Sequence, residues 1–195
     1  MMQLCPFFLR SKPAIPELDF SGVIVAAGSE VPECRKLLPA TPVFGSIDVA
    51  PHLRGGAGAL AEFVVVSNAS VVQKPDNVSF EEAAGLGVAG CTALLLIEKA
   101  VLKKGDKVLV YGASGGIGTL VVQMARNAVG REGKIVAVCS SRNGEVIKGL
   151  GADDVRKSGL YIFSSLRDSL WAISFLQSLA ALMLGTATNA IRTGH

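Results

Sequence analysis

The sequence is poor in the side chains that bind metal ions or build disulfide frameworks. It has two histidines and four cysteines in 195 residues. No two cysteines stand in CxxC spacing, and neither His52 nor His195 lies near a cysteine or in an HExxH frame. These spacings argue against a zinc site and against a disulfide framework, and they favour a reducing compartment. We therefore predict no metal site and a cytoplasmic location, with a mitochondrial or membrane-associated location as alternatives.

Charged residues are also scarce, at 18% of the chain, and they are unevenly distributed. Residues 1–98 hold 6 Lys and Arg against 10 Asp and Glu, whereas residues 99–157 hold 11 against 5. The lysines between positions 99 and 107 surround a turn, and aromatic residues do not interleave with them, so we expect no nucleic-acid partner. An anionic small molecule is the favoured ligand of this basic segment, and a solvated face is the alternative.

The sequence begins with only a short apolar stretch, Pro6–Leu9, followed by Arg10 and Lys12. This stretch is too short for the apolar part of a secretory signal peptide. A cleaved transit peptide stays open as an alternative.

Half of the residues are apolar, which excludes disorder as the main character of the chain. The first half reads as short, Val-rich strands separated by Gly and Pro, a pattern typical of a small antiparallel sheet or barrel. Ser79 and Glu82 form a capping box that predicts a helix start, and an apolar helix is predicted over Cys91–Lys99. The predicted strands are Phe20–Ala27, Val43–Ile47, Leu60–Val66 and Val71–Lys74.

From Lys107 onwards the pattern alternates between strand and helix, which is how parallel sheets are built. The predicted strands are Lys107–Tyr111 and Lys134–Cys139, and the predicted helices are Ile117–Ala128 and Gly144–Leu150. Asn143 is the predicted N-cap of the last helix and Gly151 its stop. The segment is therefore one βαβ unit and the start of a second crossover.

A glycine-rich loop joins the first of these strands to its helix, with glycines at 112, 115, 116 and 118. Glycine permits the tight turn and lets backbone N–H groups approach a pyrophosphate at the positive end of the helix. A strand, a glycine loop, a helix and a second strand in this order predict dinucleotide binding. A purely structural tight turn is the alternative.

The end of the second strand distinguishes the two nicotinamide dinucleotides. NAD is held by an acid that accepts a hydrogen bond from the ribose 2′-hydroxyl, whereas a 2′-phosphate would be repelled by it. Here Ser140, Ser141 and Arg142 follow Cys139, and the first acid is Glu145. Two hydroxyls and a guanidinium suit a 2′-phosphate, which favours NADPH. The alternative is that the serines cap the next helix and Arg142 is solvated.

In these residues the chain resembles the zinc-independent quinone oxidoreductase branch of the medium-chain dehydrogenase/reductase superfamily. The resemblance covers about residues 13–155 as an ordered series of segments. They are Ile15–Gly22, Val43–Gly45, Ala61–Val65, Lys74–Pro75, Glu81–Ala84, Ala89–Leu94, the glycine loop and Leu150–Asp153.

The resemblance implies an α/β protein with a partial GroES-like β-barrel at residues 13–98 and an incomplete Rossmann domain at residues 99–157. The family's first barrel strands have no counterpart before Lys12, and the resemblance is lost after Val155. We therefore expect a chain truncated at both ends relative to the family.

The resemblance also implies a function, the NADPH-dependent reduction of a quinone or an α,β-unsaturated carbonyl, which includes an enoyl reductase of a biosynthetic pathway. The implied cofactor-binding residues are Thr92, Gly112, Ser114, Gly115, Gly116, Ile117, Ser140, Ser141 and Arg142. No catalytic residue and no oligomeric state are predicted. The alternative is a non-catalytic nucleotide-binding or interaction protein.

The last segment, residues 158–195, is apolar, and it contains 22 residues without a charge between Ser169 and Ala190. We predict a helical tail. Three interpretations stay open. The tail is a helix packed on the sheet, or it associates with a membrane through a stretch long enough to span a bilayer. The third is that it is an out-of-frame or unspliced segment of the gene model, with no selected structure.

Overall fold

The computed structural model describes residues 15–48, 52 and 55–157, and the backbone of residues 170–174 and 191–192. The chain divides into two compact units, one within Met1–Val88 and one within Ala89–His195.

The first unit contains an antiparallel sheet of three strands, β1 (Asp19–Val23), β2 (Pro42–Ser46) and β3 (Val71–Gln73), with β2 in the middle. Phe20 pairs with Gly45, and Phe44 pairs with Val72. A small core of Leu37, Val43 and Val71 lies against the sheet. Short 3₁₀ turns at Glu33–Arg35 and Asn68–Ser70 precede β2 and β3.

Helix α1 (Phe80–Ala84) begins at the predicted capping box, which the structure confirms. The Ser79 hydroxyl accepts a hydrogen bond from the Glu82 backbone N–H at 3.1 Å, and the Glu82 carboxylate accepts one from the Ser79 N–H at 2.9 Å. Two backbone donors that no helical carbonyl can reach are thus satisfied.

The predicted barrel is not confirmed, because the sheet of the first unit is open in the part of the chain that the structure describes. The prediction of a strand at Leu60–Val66 is wrong: these residues form bends and irregular chain. The residues favour a strand, but a strand also needs a neighbour for its backbone groups, and none of the described residues pairs with residues 62–66.

The second unit is an α/β structure around a parallel sheet, as predicted. Its described elements are α2 (Val88–Ala100, whose first residue belongs to the first unit), β4 (Lys107–Tyr111), α3 (Gly116–Val129), β5 (Lys134–Cys139), α4 (Gly144–Gly149), β6 (Asp154–Lys157), β7 (Leu170–Ser174) and β8 (Ile191–Arg192). The strand order is β6-β5-β4-β7-β8, in which all neighbours are parallel except the antiparallel pair β7 and β8.

The core of this unit follows from the sequence of β4 and α3. Val108, Leu109 and Val110 form a continuous apolar run and are buried, which is typical of a strand covered on both faces. Helix α3 turns one apolar stripe inward, and the residues of that stripe are buried as well. They are Gly118, Val121, Val122, Ala125 and Val129.

The prediction of a helical tail is wrong where the structure describes the tail, since Leu170–Ser174 and Ile191–Arg192 are strands. A short apolar run fits a buried strand as well as a helix, and here β4 supplies backbone partners: Leu109 pairs with Ala172. The three interpretations of the remaining tail, membrane association among them, lie outside the described residues.

Helix α4 differs from the prediction at its start and agrees with it at its end. Asn143 does not cap the helix with its side chain, because the 3₁₀ turn Ser141–Asn143 leads directly into it. Gly151 follows the helix with a φ of +118°, a conformation that only glycine adopts readily, as expected of a helix stop.

A single arginine on α3 connects three turns of the second unit. The Arg126 guanidinium donates to the carbonyls of Gly151 at 2.9 Å, Gly130 at 2.6 Å and Gly133 at 3.1 Å, and it forms an ion pair with Asp153. The Asp153 carboxylate also accepts a hydrogen bond from the Ile135 backbone N–H at 2.6 Å. The beginning of β5 and the turn before β6 are thereby held to the end of α3.

We expect Arg126→Met to lower the free energy of unfolding by about 1–3 kcal/mol, because three carbonyls and one carboxylate lose a charged donor. Arg131→Met is the matched control, since Arg131 is an exposed arginine on the next turn. Urea unfolding followed by circular dichroism measures both variants. Equal losses in the two would contradict a special role for Arg126.

Candidate functional site

The glycine loop, residues 112–115, lies at the carboxyl end of β4 and is anchored to the end of β5. The backbone N–H groups of Gly112 and Ala113 both donate to the Val138 carbonyl, at 3.0 and 3.1 Å. Gly112 has a φ of +75°, which explains the glycine at this turn. The loop then closes on itself through a bond from the Gly115 N–H to the Gly112 carbonyl at 3.0 Å.

Gly118 is required by packing. A Cβ atom at this position would lie 2.2 Å from the Gly112 carbonyl oxygen and 2.8 Å from the Ala113 Cα. These are backbone atoms that cannot move aside without displacing the loop. The missing side chain therefore lets α3 start directly against the end of β4.

Packing within the chain does not require glycine at positions 115 and 116. A Cβ on Gly116 would meet nothing within 4 Å, and one on Gly115 would make an ordinary contact of 3.4 Å with the Gly112 carbonyl oxygen. Both residues are exposed, and neither has a positive φ. Open space above two adjacent glycines is what a phosphate needs to approach a backbone closely.

The first turn of α3 offers unused donors to this space. Gly115 is the N-cap and has no side chain to cap the helix, and the first helical bond runs from the Thr119 N–H to the Gly115 carbonyl at 3.0 Å. Within the described residues the N–H groups of Gly116, Ile117 and Gly118 have no acceptor. Three such donors at the positive end of a 14-residue helix are an arrangement that suits an anion.

Ser140, Ser141 and Arg142 lie at the same edge of the sheet. β4 and β5 are parallel, and Tyr111 pairs with Val138, so the residues after both strands leave the sheet side by side. Ser141 and Arg142 are exposed and Ser140 is half-buried. Neither serine caps the 3₁₀ turn with its side chain, and the Arg142 guanidinium has no partner in the described part of the chain. Its positive charge is therefore available to a ligand.

The strand order adds a feature that the sequence reasoning missed. From β4 the chain moves to β5 and β6 on one side and then returns to β7 on the other side, where Tyr111 pairs with Ser174. In open α/β sheets a ligand binds at the carboxyl edge where this reversal occurs. The glycine loop follows the strand at that point. The sequence signal that could have predicted β7 is the apolar run Leu170–Ile173, which has the length of a strand and is followed by the small polar residue Ser174.

Eight of the nine predicted binding residues are thus brought to one edge of the sheet. They are Gly112, Ser114, Gly115, Gly116, Ile117, Ser140, Ser141 and Arg142. Thr92 lies apart from them in sequence, on α2, where it is buried with 8% of its surface exposed.

Cys139 is the last residue of β5 and immediately precedes Ser140. Burial raises the pKa of the Cys139 thiol, because the thiolate would lose its hydration. The thiol is therefore neutral at physiological pH and adds no charge beside Arg142.

The described residues contain neither a cluster of metal ligands nor a helix that could cross a membrane. No group of three or more His, Cys, Asp or Glu side chains there is arranged to hold a metal ion. No helix in the same residues has the length and apolar character needed to cross a membrane.

The curated proteins that the chain resembles include reductases and quinone oxidoreductases. No family model matches the chain. The chain is 36% identical over 166 residues to the trans-enoyl reductase poxH of Penicillium oxalicum, covering 75% of this chain and 43% of that protein. It is 40% identical over 156 residues to the chloroplast envelope quinone oxidoreductase homolog of Arabidopsis thaliana, covering 77% and 44%.

Solved structures of oxidoreductases also match the fold of the chain. The quinone oxidoreductase from Coxiella burnetii matches with a TM-score of 0.69 and 28% identity, over 84% of this chain and 49% of that one. The yhdH oxidoreductase from Salmonella enterica in complex with NADP matches with a TM-score of 0.66 and 26% identity, over 89% and 55%.

The fold is therefore that of an α/β protein with a glycine loop at the carboxyl edge of a parallel sheet. The chain belongs to the medium-chain dehydrogenase/reductase superfamily, among its quinone and enoyl oxidoreductases. It spans less than half the length of the curated relatives just described.

We expect Gly118→Ala to lower the free energy of unfolding by about 1–3 kcal/mol, because its methyl group would overlap the Gly112 carbonyl. The matched control is Gly116→Ala, two residues earlier in the same helix, where the methyl group enters open space. We expect Gly116→Ala to change stability by less than about 1 kcal/mol. Chemical unfolding of both variants measures the difference, and the reverse order would refute the close approach of α3 to β4.

We expect Cys139 to react with iodoacetamide at pH 8 at least about tenfold more slowly than the exposed Cys34 and Cys91, because its raised pKa and its burial both suppress the thiolate. Peptide mass spectrometry after timed alkylation measures each site in one sample. Raising the pH should speed the exposed sites before Cys139. Labelling of all three at the same rate would contradict the burial of Cys139.

Proposed function

We propose that this chain binds NADPH and takes part in hydride transfer to a quinone or an α,β-unsaturated carbonyl. The observation that carries the proposal is the start of α3 at Gly115 and Gly116, where three N–H groups have no acceptor among the described residues. Arg142 lies at the same carboxyl edge of the sheet and has no partner in the described part of the chain. Trans-enoyl reductase and quinone oxidoreductase, the names of the two curated relatives, support the substrate class. The NADP complex of the Salmonella relative supports the cofactor.

The residues fit such a dinucleotide. The N–H groups of Gly116, Ile117 and Gly118 would bind the pyrophosphate, and the glycines leave room for its oxygens. Arg142 would hold the 2′-phosphate by charge-assisted hydrogen bonds, with Ser140 and Ser141 as hydroxyl donors. Thr92 matches a family position near the nicotinamide, and we propose the same place for it here.

The bound cofactor supplies the hydride, and the protein supplies binding and orientation. We propose that residues 99–157 form the cofactor-binding part and residues 13–98 the substrate part. No side chain is assigned as the proton donor, so the proton needed to complete the reduction comes from solvent in this proposal.

A second candidate function is nucleotide binding without turnover. It is favoured by the N–H groups at the start of α3, which suit an anion, while no side chain among the described residues is assigned as a proton donor. Quenching or enhancement of NADPH fluorescence measures binding, and NADPH oxidation with a quinone or an enone measures turnover. Binding without oxidation supports the second candidate, and the absence of both refutes the two together.

We expect Arg142→Ala to weaken NADPH binding by about tenfold to a hundredfold, the effect of losing a hydrogen-bonded charge. Binding of NADH, which has no 2′-phosphate, should change by less than about twofold. Arg131→Ala, which removes an exposed arginine from the turn before β5, is the control and should affect neither. Fluorescence titrations with both nucleotides measure the dissociation constants. Equal losses for NADPH and NADH would refute the assigned role of Arg142.

A further inference from the structure

The charged side chains that follow β5 are paired with one another, with two exceptions. The segment from Arg142 to Lys157 contains three acidic and four basic side chains. Each of the three acids forms an ion pair with a base, and the pairs are Glu145 with Lys148, Asp153 with Arg126, and Asp154 with Arg156. Arg142 and Lys157 form no ion pair within the described residues. Two positive charges are therefore left over in this segment.

Acidic side chains elsewhere in the chain could balance at most one of these two charges. Of the 16 acidic residues in the sequence, Asp168 alone lies outside the described residues. Arg142 and Lys157 are both exposed. A net positive charge therefore remains available to a ligand, wherever Asp168 lies.

The pairing of the strands brings both cations to the same edge of the sheet. β5 and β6 are parallel, and Lys157 pairs with Cys139, the last residue of β5. Arg142 follows Cys139 by three residues. Since neighbouring parallel strands end together, Lys157 lies at the carboxyl edge, where Arg142 also lies.

The alternation of side chains along β6 determines the face on which Lys157 lies. Successive side chains of a strand point to opposite faces. Asp154 and Arg156 share one face, as their ion pair at 3.0 Å shows. Val155 and Lys157 therefore share the other face.

That other face is the one on which the chain leaves β5 towards α4. The Cγ1 atom of Val155 lies 3.7 Å from the place of a Cβ atom on Gly144, the first residue of α4. The turn Ser141–Asn143 directly precedes Gly144 and lies beside β6. Lys157 is two residues further along the strand than Val155 and is thus on the same side of the sheet as the turn that carries Arg142.

We infer that Lys157 is a second specificity-determining residue for NADPH, which binds the 2′-phosphate together with Arg142. The inference rests on the proposed function, because it adds a residue to the same site. A phosphate monoester carries close to two negative charges at neutral pH, and two cations balance them. Lys157 stands 15 residues after Arg142 in the sequence, and only the pairing of β6 with β5 brings it to this edge.

Fluorescence titrations with two nucleotides test the inference. We expect Lys157→Met to weaken NADPH binding by about tenfold, the effect of losing one charge-assisted hydrogen bond, and NADH binding by less than about twofold. Lys157→Arg retains the charge and should keep the affinity for NADPH to within about threefold. The matched control is Arg156→Met, which removes the neighbouring charge on the opposite face of β6 and should affect neither nucleotide.

Two isomeric probes separate a contact with the 2′-phosphate from a general effect of charge. Adenosine 2′,5′-bisphosphate and adenosine 3′,5′-bisphosphate carry the same charge and differ only in where one phosphate is attached. In competition with NADPH, Lys157→Met should weaken the 2′ isomer by about tenfold and the 3′ isomer by less than about threefold. Equal losses for the two isomers would overturn the inference.

A further comparison separates failure of this inference from failure of the proposed function. A preference for NADPH over NADH that is lost in Arg142→Ala and kept in Lys157→Met would overturn the role of Lys157 alone. If the unsubstituted chain binds neither nucleotide, the proposed function fails and the role of Lys157 fails with it.

Discussion

The second unit depends on the close approach of α3 to the end of β4 at Gly118. Because the helix begins where the strand has just ended, the N–H groups of its first turn lie at the carboxyl edge of the sheet and have no acceptor among the described residues. The same approach brings the stripe from Val121 to Val129 onto the sheet, so the core and the ligand-binding edge have one geometric origin. A methyl group at position 118 would disturb both.

The two ends of the parallel sheet perform different tasks. At the carboxyl edge, glycines and an exposed Arg142 leave backbone and charge unsatisfied, as a ligand site requires. At the opposite edge, Arg126 donates to three carbonyls and pairs with one carboxylate. The unit is thus fixed at one end by internal hydrogen bonds, and this allows the other end to be open without loss of structure.

Local signals were sufficient for β4, α3 and β5, whose apolar patterns and glycine loop predicted the structure to within about a residue. Eight of the nine predicted binding residues lie at one edge of the sheet, since neighbouring parallel strands end together. These local patterns failed where the secondary structure of a segment depends on a strand that is distant in sequence. Residues 60–66 have the composition of a strand and lack a described neighbour, whereas Leu170–Ser174 suited a helix equally well and became a strand because β4 was there to pair with it. The role of Thr92 depends on a ligand, and so no local pattern could establish it.

The pairing of β4 on both sides has a consequence for the order in which the chain is made and folds. Lys107 pairs with Lys134 on one side and with Leu170 on the other, more than twice as far along the chain. Closing the shorter connection costs less chain entropy, so β4, α3 and β5 can assemble during synthesis before β7 has left the ribosome. Until β7 arrives, one side of β4 is an open strand edge in the newly made chain.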